Sequence, residues 1–269
     1  GGVYAKPMHL SHKNRKYAVN CGQSYGEWAE PNAVMAFQWY DFAAPHPEET
    51  TAYTYFTLKR VLEAAEILGK PETPQLKRIR EYSEGARRAY QELVTKEKFT
   101  LDTDRQAKLV RPLYMGLLTE EQTKFAEKRL IQAMEHYGWR LGTGFLSTPL
   151  ILDVLAELDI SYAYRLLENE EMPGWLFMPK SGATTIWEAW EGNTTKDKGI
   201  ASLNHYSKGA ACEWLTNTMC GIRLDGENRF VLAPRPGGSI TFARASYQSV
   251  YGSVKTDWAE TETGYRLAV

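Results

Sequence analysis

The residues best suited to chemistry lie in one stretch, PGWLFMPKSGATTIWEAWEG at 173–192, where Glu188 and Glu191 stand among Trp175, Trp187 and Trp190. An indole is flat, apolar and tipped by one donor, which suits the face of a sugar ring. A carboxyl group beside such rings loses hydration, so its pKa rises toward the range useful for proton transfer. A carboxylate between indoles is therefore an arrangement a glycosidase would use. The same spacing has a plainer reading, in which Trp187 and Trp190, three apart, pack as one helical face while Glu188 points to solvent. On these residues alone, both readings stand.

His205 opens the segment HYSKGAACEWL and reads either as a helix cap or as a pocket residue. The acidic pairs Glu120-Glu121 and Glu170-Glu171 read as solvated helix ends. The 8 Trp and 16 Tyr could supply stacking surface or simply fill a core. A net charge of -1, with no basic stripe, excludes a general electrostatic grip on nucleic acid or an anionic membrane. No apolar run is long enough for a membrane span. The opening GGVYAKPMHL has no charged segment followed by an apolar one, which is uninformative in a fragment. Cys21, Cys212 and Cys220 form no CxxC pair and read as free structural thiols. The five histidines form no HExxH, so neither a metal nor another cofactor is expected.

Residues 1–45 read as irregular, rich in Gly, Pro and aromatics. Apolar residues at helical spacing then begin near 48, stop at Gly69-Lys70-Pro71, and resume from about 73 to 95, which predicts a helical hairpin. A second pair is expected from a cap at Asp102, Thr103 or Asp104 to Gly116, and from Thr119, with Gln122 as capping-box partner, to Tyr137. STPLILDVLAELD and ISYAYRLLENEE, split near Asp159, make a third pair, and 205–219 reads as one unpaired helix. After Gly221 the texture turns to alternating β-branched and aromatic residues with Pro-Gly-Gly and Asp-Gly turns. The fold class expected is mainly α: part of a toroid of helical hairpins over residues 1–224, then the start of an antiparallel β domain over 225–269. A six-hairpin toroid needs twelve helices and about seven are legible, so the chain reads as the later half of one. The hairpins do not repeat in sequence, which argues against a solenoid.

GATTIWEAW followed by SLNHYSKGAACEWL resembles the signature of the α-L-rhamnosidases of glycoside hydrolase family 78. LDTDRQAKLVRPLYMGLL, TGFLSTPLILDVL and APRPGGSITFARASYQSVYGSVKTDW resemble further family segments in the expected order, so the likeness runs from about residue 20 to near the end. The resemblance implies an inverting hydrolysis of terminal α-L-rhamnosides with Glu188 as general base and His205 in the sugar pocket. It also implies substrate contacts at Glu27, Trp28 and Trp187, with Glu27 one methylene longer than the Asp of the family's GDW segment. A rhamnose-containing glycoside or polysaccharide is then the expected ligand. The family's acidic, Arg- and Trp-containing general-acid segment has no counterpart in 1–45. The expectation is therefore a chain truncated at both ends, inactive alone, and partnered by the rest of a parent polypeptide or by a second copy. Two alternatives are another toroidal glycosidase or polysaccharide lyase, and a non-catalytic carbohydrate-binding scaffold.

Overall fold

A computed structural model describes residues 10–22, 24–31, 34, 44–95, 99–192, 201–226 and 228–269. The chain forms two compact units, one of residues up to Gly138 together with Gly142–Ser147, the other of Trp139–Leu141 and Thr148–Val269.

The first unit opens with a short turn of helix, α1 (His12–Arg15), inside the stretch read as irregular. Two hairpins follow, α2 (Pro47–Ile67) with α3 (Pro74–Leu93), and α4 (Gln106–Met115) with α5 (Glu120–His136). Their ends follow from local chemistry. Thr73 accepts from the Leu76 N–H ahead of Pro74, whose missing donor costs nothing in a first turn. Thr119 and Gln122 close a full capping box at the start of α5. Gly116 ends α4 in the left-handed conformation at φ 67°, where a side chain would be strained. The start of α4 departs from expectation. Its cap is Arg105 with no side-chain bond, because Asp102 and Asp104 instead pair with Arg129 at 3.0 and 2.8 Å. Ala52, Tyr55, Ala86, Ala89 and Tyr90 are buried in the α2–α3 hairpin, and Leu109, Val110, Ala126, Leu130 and Met134 in the next. Arg111 is buried too, at 0% exposure.

In the second unit α6 (Thr148–Leu158) and α7 (Ile160–Leu167) make a third hairpin, with Asp159 capping α7 through the Ser161 N–H. A single turn, α8 (Phe177–Lys180), lies within the chemistry-bearing stretch. The helix expected over 205–219 is broken into α9 (Tyr206–Gly209), α10 (Ala211–Trp214) and a π-helical turn, Leu215–Met219. The β segment begins with the hairpin β1 (Ile222–Leu224) and β2 (Phe230–Leu232). It ends in a meander of β3 (Phe242–Ser249), β4 (Gly252–Thr261) and β5 (Gly264–Ala268), antiparallel throughout. One face of that meander seats Ala243 and Trp258 against Cys220, with the Trp258 Nε1 donating to the Met219 carbonyl at 2.8 Å. Among the described residues no helix is long and apolar enough to cross a membrane.

Candidate active site

The second unit holds the chemistry-bearing loop, and each of its turns has an identifiable cause. Leu141 donates to the Pro173 carbonyl at 2.9 Å, which ties down its start. Gly174 follows, where a Cβ would fall 2.6 Å from the Glu171 carbonyl oxygen, so only glycine fits. The Trp175 ring is buried and its Nε1 donates to the Lys208 carbonyl at 2.8 Å, fastening the loop to α9. Met178, fully buried on α8, accepts from the Trp187 N–H through its sulfur.

Residues 185–188 then run antiparallel to 202–205. The His205 N–H donates to the Ile186 carbonyl at 2.8 Å and the Glu188 N–H to the Ser202 carbonyl at 2.9 Å. The Ser202 N–H returns a bond to Glu188 Oε2 at 2.8 Å. A backbone donor aimed at one oxygen helps fix the orientation of the side chain. This short ladder brings Glu188 and His205, 17 positions apart, onto neighbouring segments. Residues 186–192 form bends and a turn, not a helix, so the reading in which Trp187 and Trp190 share a helical face does not describe them.

Trp187 and Trp190 flank the half-buried Glu188, and both are almost wholly buried, at 4% and 1% exposure. At that burial neither lies open as a stacking platform. Gly192 makes that packing possible, since at φ 53° a Cβ there would lie 2.1 Å from the Trp187 ring. His205 caps α9, its Nδ1 accepting from the Ser207 N–H at 3.3 Å. With Nδ1 as acceptor, neutral imidazole carries its proton on Nε2. Tyr206 stacks on it at 5.2 Å and is 88% exposed.

Glu27 and Trp28 belong to the first unit. Contrary to the expectation of a sugar contact, the Glu27 carboxylate has no accessible oxygen. Oε1 accepts from the N–H groups of Gly144 and Ser147 at 3.0 and 2.7 Å, and Oε2 from the Ser147 hydroxyl at 2.9 Å and from Arg111. Arg111 also faces Glu49 at 3.5 Å. Trp28, next in the chain, remains half-buried, with Tyr25 edge-on at 5.6 Å. Its carbonyl accepts from the Phe145 N–H at 2.8 Å, and Gly144 lies so close that a Cβ would meet that oxygen at 2.3 Å. The internal anchor thus holds in place the aromatic residue that does reach the surface.

One residue at the site escaped the sequence reading. Lys208 is 0% exposed, its Nζ 3.7 Å from the Trp190 ring centroid and without a hydrogen-bond partner among the described residues. The available signal was a lone cation between Ser207 and Gly209 on a turn packed against an apolar helix.

Comparison with known proteins places these features. Residues 6–219 match the family model of the bacterial alpha-L-rhamnosidase 6 hairpin glycosidase domain, and residues 224–269 that of the bacterial alpha-L-rhamnosidase C-terminal domain. An alpha-L-rhamnosidase of Streptomyces avermitilis is 34% identical over 242 residues, covering 85% of this chain and 23% of the relative. One from Formosa agariphila is 32% identical over 87% of this chain and 26% of the relative. The crystal structure of the Streptomyces avermitilis alpha-L-rhamnosidase complexed with L-rhamnose aligns with a TM-score of 0.76 at 31% identity, over 90% of this chain and 23% of that one. The chain thus spans about a quarter of the length of the relatives it matches.

Proposed function

The chain belongs to the bacterial alpha-L-rhamnosidase six-hairpin glycosidase family, and from that premise we propose that it carries the base side of an inverting α-L-rhamnosidase site, with Glu188 as the general base. Inversion at an anomeric carbon needs two carboxyl groups on opposite ring faces, roughly 6.5–9.5 Å apart, one to protonate the leaving oxygen and one to take a proton from the attacking water. Glu188 has the features of the second. It is half-buried, stands in the chain between two buried indoles, and is oriented by the Ser202 N–H at Oε2. His205 Nε2–H donates to a ring hydroxyl while Nδ1 keeps its capping bond. Trp28, half-buried, is the first unit's candidate for a sugar contact, with Glu27 as its internal anchor, and Trp187 packs within the loop of the second unit.

The observation that carries the reading is the pair of backbone hydrogen bonds between 186–188 and 202–205, which sets Glu188 and His205 on neighbouring segments. The general acid is assigned to a segment outside this chain, in a longer polypeptide whose remainder, or a second copy, completes the pocket. This chain alone is accordingly inactive, and its ligand is a rhamnose-containing glycoside or polysaccharide. The test is Glu188→Gln in a polypeptide spanning the full length of the relatives. The expected result is a loss of about 10²–10⁴ in kcat on an aryl rhamnoside with L-rhamnose binding retained. An unchanged rate would instead favour a scaffold role.

A further inference from the structure

The loop that carries Trp28 turns at a strained residue. Ala29, next in the chain, stands at φ 58°, in the left-handed region that a residue with a Cβ seldom adopts. Such a conformation persists only where the surroundings over-determine it, and it gathers at segments whose direction matters. Glycine would have removed the strain, as it does at Gly26, where φ is 57°.

Ala29 is held from both sides. On the near side Glu27 is sealed by Arg111, Gly144 and Ser147, and the Trp28 carbonyl accepts from the Phe145 N–H. On the far side Glu30, whose side chain is 4% exposed, receives both prongs of the Arg105 guanidinium. Nε donates to Oε1 at 3.1 Å and an Nη to Oε2. Two parallel charge-assisted bonds fix direction as well as distance. Arg105 caps α4 and Arg111 lies within it, with Lys108 between them paired to Glu48 at 3.2 Å. At a spacing of three these cations share one face of α4. The outer two hold the carboxylates that flank Trp28 and Ala29.

We propose that Glu30 and Arg105 are positioning residues for Trp28: their forked pair, acting with the Glu27 anchor, holds Ala29 in its left-handed turn and so sets the direction in which the Trp28 ring is presented. The functional consequence rests on the reading of Trp28 as a sugar contact, while the positioning itself is measured without sugar. Burial pushes the Glu30 carboxyl up to about 7 against the pull of Arg105. Measurements at about pH 8 therefore observe the pair with both charges in place.

The experiment labels the tryptophans of this chain with 5-fluorotryptophan and follows the Trp28 ¹⁹F resonance, assigned by its loss in Trp28→Phe. Glu30→Gln sets an amide donor against one prong of Arg105 and should shift or split that resonance. Arg105→Lys, a point charge in place of a fork, should do the same. Adding Ala29→Gly makes the left-handed turn unstrained and should return the resonance toward its native position. A pair that served only overall stability would leave the folded-state resonance unmoved in both variants, and that result would overturn the proposal. A resonance displaced by Glu30→Gln and not brought back by Ala29→Gly would overturn it too. Should Glu30→Gln not fold, Arg105→Lys with and without Ala29→Gly decides alone. In a polypeptide spanning the full length of the relatives, Glu30→Gln should raise KM for an aryl rhamnoside about five- to tenfold with kcat little changed, the mark of lost uniform binding. Trp28→Ala separates the two claims. An unchanged KM there refutes the sugar-contact reading, whereas a raised KM in Trp28→Ala beside an unchanged one in Glu30→Gln refutes the positioning.

Discussion

Glu27→Gln gives the sharpest test of the packing argument, because it changes one atom in a sealed site. In the native protein the carboxylate receives two backbone donors on Oε1, and the Ser147 hydroxyl and Arg111 on Oε2. Glutamine keeps an acceptor for Gly144 and Ser147, and the Ser147 hydroxyl can turn to accept. Only Arg111 loses outright. Its guanidinium, at 0% exposure, would face an amide donor where it had a negative charge, with Glu49 at 3.5 Å as its remaining counter-ion. Breaking one side of a buried ion pair costs about 3–5 kcal/mol. At roughly 2–4 °C per kcal/mol for a domain of this size, the melting midpoint should fall by about 6–20 °C. Circular dichroism melts measure it, and a double-mutant cycle with Arg111→Met separates the pair from its surroundings. The double variant should be less destabilised than the two single losses added together, since it removes the Glu27–Arg111 pair whole, and the loss of Glu49's partner is already counted in Arg111→Met alone. A loss under about 1 kcal/mol for Glu27→Gln, or strict additivity in the cycle, would refute the assignment of Glu27 as a charge-bearing anchor.

Gly192→Ala should destabilise the second unit by about 1–3 kcal/mol and alter tryptophan emission, since the new Cβ overlaps the Trp187 ring at a left-handed backbone position; a native melt and spectrum would contradict this. Lys208 gives a pH signature. Its folded pKa of about 7 lies below its ordinary 10.5, so between those values the unfolded chain binds the extra proton and stability rises with pH, by at most about 5 kcal/mol. Melts at pH 6, 7.5 and 9 should show this rise in the native protein and a flatter profile in Lys208→Met; parallel profiles would count against it. Sedimentation of this chain alone should reveal association, because the meander face that buries Trp258 also carries Tyr247, Tyr265 and Leu267 about half exposed, and a clean 30.6 kDa monomer would refute that.

What the amino-acid sequence made legible was whatever depends on near neighbours. Thr73-Pro74, Thr119 with Gln122, Gly116 and Asp159 each act within three or four positions, and each bounds a helix where expected. Asp102 and Asp104 were misread as caps because their partner, Arg129, lies a full helix away. The break in 205–219 carries no proline, and Gly209, the last residue of α9, is its only local signal. Glu27 failed for the same reason on a larger scale. Its partners stand 84 to 120 positions distant, and a lone acid beside tryptophan looks identical whether it faces solvent or a buried arginine.

The site obeys a stricter logic. The WEAW stretch singled itself out by residue type, yet its geometry comes from a ladder to 202–205 that residue type cannot reveal. Lys208 is the extreme case. On patterning alone a lysine three residues past the cap of a short helix belongs in water, and a methionine would satisfy that buried position at lower cost. Local preference, packing and electrostatics normally agree at a core position, and a residue that violates all three persists only where its charge is used. Lys208, fully buried over the Trp190 ring, is therefore where the pH dependence of stability weighs more heavily than a further inventory of aromatic contacts.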